Sequence, residues 1–176
     1  MDETGRFKKY DPVDRKFFID SSFVNKNKGK KMDDQFDQFV NNLQEQIYME
    51  TKETFGETVY KRWRYPLYMG TIKNPSGYAT LRGSCGDTFQ IFLKFDKDRV
   101  TKASFQTDGC GPSIACGSFA AEMSIGKTSD ELMDITGESI LKELGGLPEE
   151  NEHCAFLAAE TLHQAVDDYM IKQNTD

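Results

Sequence analysis

The clearest pattern of apolar and polar residues lies near the end of the chain. Between Cys154 and Tyr169 the apolar side chains recur every three or four residues, which is the period of one face of an α-helix. This pattern predicts a long amphipathic helix, with Asn151 as its N-cap. The same period occurs near the start of the chain, in the stripe formed by Phe36, Phe39, Val40, Leu43 and Ile47. There it predicts an N-terminal helix that is capped by Asp33 or Asp34 and interrupted at Gly56.

The middle of the chain changes to a period of two. In Thr88 to Phe95 the apolar residues alternate with other side chains, as in a strand with one buried face. The sequence predicts a hairpin turn at Asp96-Lys97-Asp98, a return strand from Val100 to Thr107 and a third strand from Tyr78 to Arg82. These segments predict a small antiparallel meander.

Helices follow the strands. Pro112 suits the first turn of a helix that continues over Ile114 to Ile125, and helical residues resume from Glu131 to Leu144 before Gly145. Strands followed by helices predict an α+β fold, in which a three-stranded antiparallel sheet carries helices on one face, with an N-terminal helical extension. We expect a polar segment or linker over residues 1–32, the helical extension over 33–57 and the main domain over 58–172.

Composition and charge narrow the classes of function. Of the 176 residues 38% are apolar and 12% aromatic, enough to bury a core. The net charge of −7 argues against a nucleic-acid partner, since phosphate binding needs a basic surface. The sequence has no secretory signal and no run of 18 apolar residues. We therefore expect a cytoplasmic protein without a membrane partner.

Cysteine is the residue type that points to chemistry. In a reducing compartment, four cysteines are more often thiols, metal ligands or catalytic groups than disulfides. Cys85 and Cys110 lie in glycine-flanked loops, and Cys154 falls in the first turn of the last predicted helix. The free N–H groups and the helix dipole at that position favour a thiolate. Cys116 differs from these three, because it lies inside a predicted helix.

Two further groups lie beside these thiols and complete a candidate ligand set. Asp87 follows Cys85 by two residues, and His153 precedes Cys154. Thiolate, imidazole and carboxylate suit zinc or an iron–sulfur cluster. The spacings of 25 and 44 residues between the three cysteines match no short zinc motif. From the residues alone a metal site, inert buried cysteines and thiol catalysis all stay open.

Five short motifs resemble, in order, those of the IscU/NifU-like iron–sulfur cluster scaffold family. They are Cys85-Gly-Asp87, Gly109-Cys110-Gly111 before Ser113-Ile-Ala115, Gly126-Lys127-Thr128, Leu144-Gly-Gly-Leu-Pro148, and His153-Cys154-Ala-Phe-Leu-Ala158. Each motif is short, but their order and spacing together make the resemblance specific. It extends roughly from Val59 to Tyr169.

The resemblance implies a scaffold with no turnover of its own. Cys85, Cys110 and Cys154 would carry a transient 2Fe-2S cluster, with Asp87 as a labile fourth ligand and His153 as its competitor or as a proton handler. Sulfur would come from a cysteine desulfurase, iron would join it, and the cluster would pass to apo-proteins. Zinc could occupy the site when no cluster is present, and the chain would be a monomer or a weak homodimer.

One departure from the family pattern and two alternatives accompany this interpretation. Many family members carry a segment to which a dedicated chaperone binds. This chain has Leu147-Pro-Glu-Glu-Asn151 at that place, which leaves a chaperone partner in doubt. The first alternative is a zinc-bound sulfur acceptor of the sulfurtransferase type. The second is an enzyme that uses Cys85 or Cys110 as its nucleophile and His153 as the base.

Overall fold

The computed structural model describes residues 33–174. The polar segment predicted over residues 1–32 lies outside this range. The predicted capping of the first helix by Asp33 or Asp34 lies outside the described side chains, which begin at residue 35. The described elements, in chain order, are helix α1 (Asp33–Arg64), strands β1 (Gly77–Arg82), β2 (Thr88–Asp96) and β3 (Arg99–Thr107), helices α2 (Gly111–Ser124), α3 (Ser129–Met133) and α4 (Gly137–Leu144), a 3-10 turn (Glu149–Asn151) and helix α5 (His153–Gln173).

The three strands form an antiparallel sheet in the order β1-β2-β3, which confirms the predicted meander. The tight turn between β2 and β3 consists of Lys97 and Asp98, with φ angles of 48° and 60°. Positive φ at both central residues is the backbone of a type I′ turn, whose twist matches that of the flanking strands. The local turn thereby helps to set the register of the hairpin.

The core lies between one face of this sheet and the helices. The alternating residues of β2 point into it, and Phe89, Ile91 and Leu93 have no exposed surface. Helix α5 packs across β1 and β2, while α2 packs on β3. Burial of each large apolar side chain contributes about 1.5–3 kcal/mol, so this face holds the two layers together. The α+β fold with helices on one face of a small sheet is therefore confirmed.

Two details of the predicted helices are wrong. The helical stretch expected from Glu131 to Leu144 is broken into α3 and α4, because Thr128 and Thr136 each begin a new helix with a capping box. Glu152 rather than Asn151 occupies the N-cap position of the last helix, without a capping hydrogen bond from its side chain, because Asn151 closes the preceding 3-10 turn.

Helix α1 is divided at Gly56, as predicted, since this glycine has φ +81° and ψ 165°. Beyond the division Val59 is 1% exposed. Arg62 forms an ion pair with Glu122 of α2, and its guanidinium lies 4.1 Å from the centre of the Phe119 ring. The last turns of α1 are thus fixed to α2 by charge and by packing.

The stripe of α1 before Gly56 is exposed, with Phe36 and Phe39 at 64% and 63%. The boundary between the two units of the chain lies between Glu45 and Gln46, inside this helix. The division into 1–32, 33–57 and 58–172 stays a prediction. No helix within residues 33–174 is both long and apolar enough to cross a membrane.

Candidate metal centre

Three segments that are distant along the chain bring a carboxylate and two thiols together. Asp87 comes from the loop between β1 and β2, Cys110 from the turn before α2, and Cys154 from the first turn of α5. One ligand atom of each lies within 4.8 Å of the others. Two sulfurs and a carboxylate oxygen at this separation can bind one soft or borderline metal ion.

Backbone hydrogen bonds shape the loop that carries Asp87. The Gly83 N–H donates to the Asp87 carbonyl at 2.9 Å, and the Gly86 N–H donates to the Gly83 carbonyl at 3.0 Å. Gly86 has φ +93°, a backbone conformation that residues other than glycine rarely adopt. The Arg82 side chain closes the loop from outside by donating to the Gly86 carbonyl. The carboxylate is therefore presented by a braced turn.

Asp108, which the sequence interpretation missed, joins this loop to the Cys110 turn. Its carboxylate accepts a hydrogen bond from the Thr88 N–H at 2.6 Å, and this bond holds the pKa of Asp108 below its usual value. The next residue, Gly109, allows the two segments to approach, because a Cβ atom there would lie 2.3 Å from Asp87 Oδ2. Only glycine permits the observed position of Asp87.

Cys85 lies outside the close group of ligand atoms and is exposed. Its Sγ lies 3.3 Å from where a Cβ of Gly83 would be, and the same point is 2.7 Å from Leu157 of α5. The Cys85 loop therefore packs one turn beyond Cys154. Its role as the third sulfur ligand stays a prediction.

The expectation that Cys154 is predisposed to be a thiolate is wrong for the metal-free protein. Its side chain is 1% exposed, and burial raises the pKa of the thiol to about 12, although the neighbouring Ser113 hydroxyl acts in the opposite direction. Loss of solvation outweighs the favourable position at the start of a helix. His153 is exposed, and its Nε2 lies 3.6 Å from the Cys154 Sγ.

Ser113 lies at the centre of the group and was not predicted as a site residue. Its side chain is fully buried, and its Oγ lies 2.7 Å from Asp87 Oδ2 and 3.3 Å from Cys154 Sγ. The Cys110 Sγ lies 3.6 Å from the same oxygen. The position two residues after a Gly-Cys-Gly motif was the available signal, but a serine there carries no chemistry until the fold brings its neighbours together.

Cys116 does not belong to the close group of ligand atoms. It is fully buried, and burial raises the pKa of its thiol well above the ordinary value.

An open pocket of about 250 Å³ lies beside Cys110. Phe55, Val59 and Trp63 form its apolar wall. The Trp63 ring lies against Gly111, where a Cβ would come within 3.2 Å of it.

The chain matches one family of known proteins over most of its length. Residues 54–176 match the family model described as the NifU-like N terminal domain. The chain belongs to this family. The match contains every candidate ligand and leaves out the part of α1 before residue 54.

Relatives within and near this family include proteins named as iron–sulfur cluster assembly scaffolds. The chain is 37% identical over 119 residues to IscU 1 of Archaeoglobus fulgidus, a match that covers 67% of this chain and 78% of the relative. It is 35% identical over 122 residues to IscU of Aquifex aeolicus, which covers 68% and 78%. The crystal structure of a NifU-like protein from Brucella abortus has the same fold, with a TM-score of 0.56 at 21% identity over 69% of this chain and 97% of the other.

Proposed function

We propose that this protein is a scaffold on which a transient 2Fe-2S cluster is assembled and from which it passes to apo-proteins. The observation that carries the proposal is the convergence of Asp87, Cys110 and Cys154 from three separate segments. Membership of the NifU-like family and the relatives named as IscU scaffolds support it. Cys85, exposed in the loop that carries Asp87, supplies the third thiolate.

Exposure divides the thiols by task. Cys85 and Cys110 are exposed, so either can attack the terminal sulfur of a persulfide on a cysteine desulfurase. That attack forms a new S–S bond on the scaffold, breaks the S–S bond of the donor and releases the donor as a thiolate. An external electron donor then supplies the two electrons that convert each bound sulfur atom to sulfide. Buried Cys154 anchors the cluster and does not meet the donor.

The mixed ligand set suits a protein that must release what it builds. Four thiolates hold an iron–sulfur cluster firmly, whereas one carboxylate among three thiolates is a weaker point of attachment. Asp87 is the carboxylate in the proposed ligand set, and exposed His153 can compete with it for the same coordination position. The scaffold itself completes no catalytic cycle on a substrate.

One observation favours a second function, that of a zinc-bound sulfur acceptor. Asp87, Cys110 and Cys154 already lie within 4.8 Å of one another without Cys85, a separation that suits a single small ion. In that case one thiolate would leave the zinc to receive sulfur, and no cluster would form.

Anaerobic reconstitution with ferrous iron, cysteine and a cysteine desulfurase separates the two functions. For the scaffold we expect a visible-absorbing cluster that is lost when Cys85, Cys110 or Cys154 is replaced by serine. Cys116→Ser is the matched control, because this thiol belongs to the same domain but lies in the core. A protein that retains one zinc ion and accepts sulfur without developing visible absorption would contradict the scaffold and support the second function.

A further inference from the structure

The Ser113 hydroxyl is the one described group that contacts all three members of the close ligand set. Its oxygen lies 2.7 Å from Asp87 Oδ2, 3.3 Å from Cys154 Sγ and 3.6 Å from Cys110 Sγ. The side chain has no exposed surface. Ser113 lies in the first turn of α2, three residues after Cys110, so the helix holds its oxygen over the site.

A serine hydroxyl has one proton and can donate it to one acceptor at a time. The carboxylate of Asp87 is the strongest acceptor in reach, and the short distance to it agrees with a charge-assisted hydrogen bond. While that bond exists, the two sulfurs face the lone pairs of the serine oxygen. If Asp87 moves to a metal, the proton becomes available to a sulfur that has become a metal ligand.

We propose that Ser113 is a positioning residue of the site, which holds Asp87 beside the thiols before loading and donates its hydrogen bond to Cys154 once metal is bound. The inference rests on the proposed function, because it assumes that these residues are metal ligands. Hydrogen bonds from outside the ligand set commonly orient ligands, and their removal typically costs roughly 10- to 100-fold in metal affinity.

The surroundings of Asp87 explain why we expect replacement of Ser113 to affect the carboxylate specifically. The backbone at Gly109 approaches Asp87 so closely that a Cβ atom there would lie 2.3 Å from Asp87 Oδ2 and 2.7 Å from Ser113 Cβ. The carboxylate is therefore confined on one side by backbone and fixed on the other by a single hydroxyl. Alanine at position 113 keeps the packing of Cβ and removes only that hydroxyl.

Titration of the metal-free protein with Co²⁺ under anaerobic conditions tests the proposal. Cobalt is a useful probe because its visible bands report coordination geometry, and its sulfur-to-metal bands report bound thiolates. For Ser113→Ala we expect Co²⁺ affinity to fall roughly 10- to 100-fold, with a shift of the visible bands. The matched control is Ser124→Ala, which removes an equally buried hydroxyl from the same helix that bonds only to the Ala120 carbonyl.

A double-mutant cycle with Asp87→Ala distinguishes positioning from packing. If the hydroxyl acts partly through Asp87, Ser113→Ala should have a smaller effect in the Asp87→Ala background than in the wild type. Equal effects in the two backgrounds, or a Ser113→Ala variant that matches Ser124→Ala in affinity and spectrum, would overturn the inference alone. Failure of the wild type to bind Co²⁺, or binding that survives Cys110→Ser and Cys154→Ser, would overturn the proposed function and the inference with it.

Discussion

The two sides of the candidate site differ in how the fold holds their cysteines. Cys85 is exposed in a five-residue turn that is braced mainly by its own backbone. Cys154 is buried at the start of α5, the helix that packs across the sheet. One thiol can therefore be reached and moved, whereas the other is fixed in the core of the domain.

This difference suits a site that must be filled and emptied. A cluster held only by exposed loops would have no fixed anchor, and one held only by buried groups could not be reached by donor or acceptor proteins. In the proposed function, exposed Cys85 and Cys110 would exchange sulfur and cluster with other proteins, while buried Cys154 and Ser113 would fix the position of the cluster. The proposed scaffold function thus needs the contrast between the two sides.

Alkylation of the thiols should reveal the contrast most strongly. In native metal-free protein we expect iodoacetamide to label Cys85 and Cys110, because both are exposed, and to label Cys116 and Cys154 only after the structure opens. A local opening that costs about 3 kcal/mol slows labelling by roughly a hundredfold. Mass spectrometry of peptides from a time course measures the four rates. Similar rates for Cys154 and Cys85 would show that the contrast does not exist in solution.

The pH dependence of stability should be the next largest effect. The pKa of Cys154 is about 12 in the fold against an ordinary value of 9.0, so the unfolded chain loses this proton first as pH rises. Stability from this group is complete below about pH 9 and is lost towards pH 12, by at most about 1.4 kcal/mol per pH unit. Urea unfolding of wild type and Cys154→Ala across this range isolates the contribution. A difference between the two proteins that is independent of pH would contradict it.

The smallest effect should appear in the stability of metal-free variants at neutral pH. Cys154→Ala removes a buried sulfur atom and should lower the free energy of unfolding by about 1 kcal/mol. Cys85→Ala removes an exposed one and should change it by less than about 0.5 kcal/mol. Chemical denaturation compares the two directly, and a larger loss in Cys85→Ala would reverse the assignment of the fixed side.

Two helices illustrate how far the periodicity of a sequence reaches. The stripes of α1 and α5 both follow the helical period, and both segments are helical. In α5 the stripe is buried, with Ala158 and Leu162 fully inaccessible, whereas in α1 Phe36 is 64% exposed. Periodicity predicts the local conformation because it reflects backbone geometry, but it carries no information about what covers an apolar face.

The broken helix before Gly145 illustrates a different limit. Apolar and polar residues from Glu131 to Leu144 suit one helix, yet Thr136 begins a separate one because its hydroxyl accepts a hydrogen bond from the Ser139 N–H. A serine or threonine that caps a new helix stabilises its start by about 1 kcal/mol, and this competes with continuation of the preceding helix. Such a small difference is decided by packing elsewhere in the domain.

The sequence by itself determined the order of strands and helices, the alternating core face of β2 and the residue types able to bind a soft metal. Those properties depend on neighbours within a few positions along the chain. Only the tertiary structure decided that Asp87, Cys110 and Cys154 meet, that Ser113 lies among them and that Cys154 is buried. The contacts of Ser113 with Asp87 and Cys154 alone join residues that are 26 and 41 positions apart. Packing of α2 and α5 on the sheet, rather than local preference, therefore sets these distances and the solvation of the side chains.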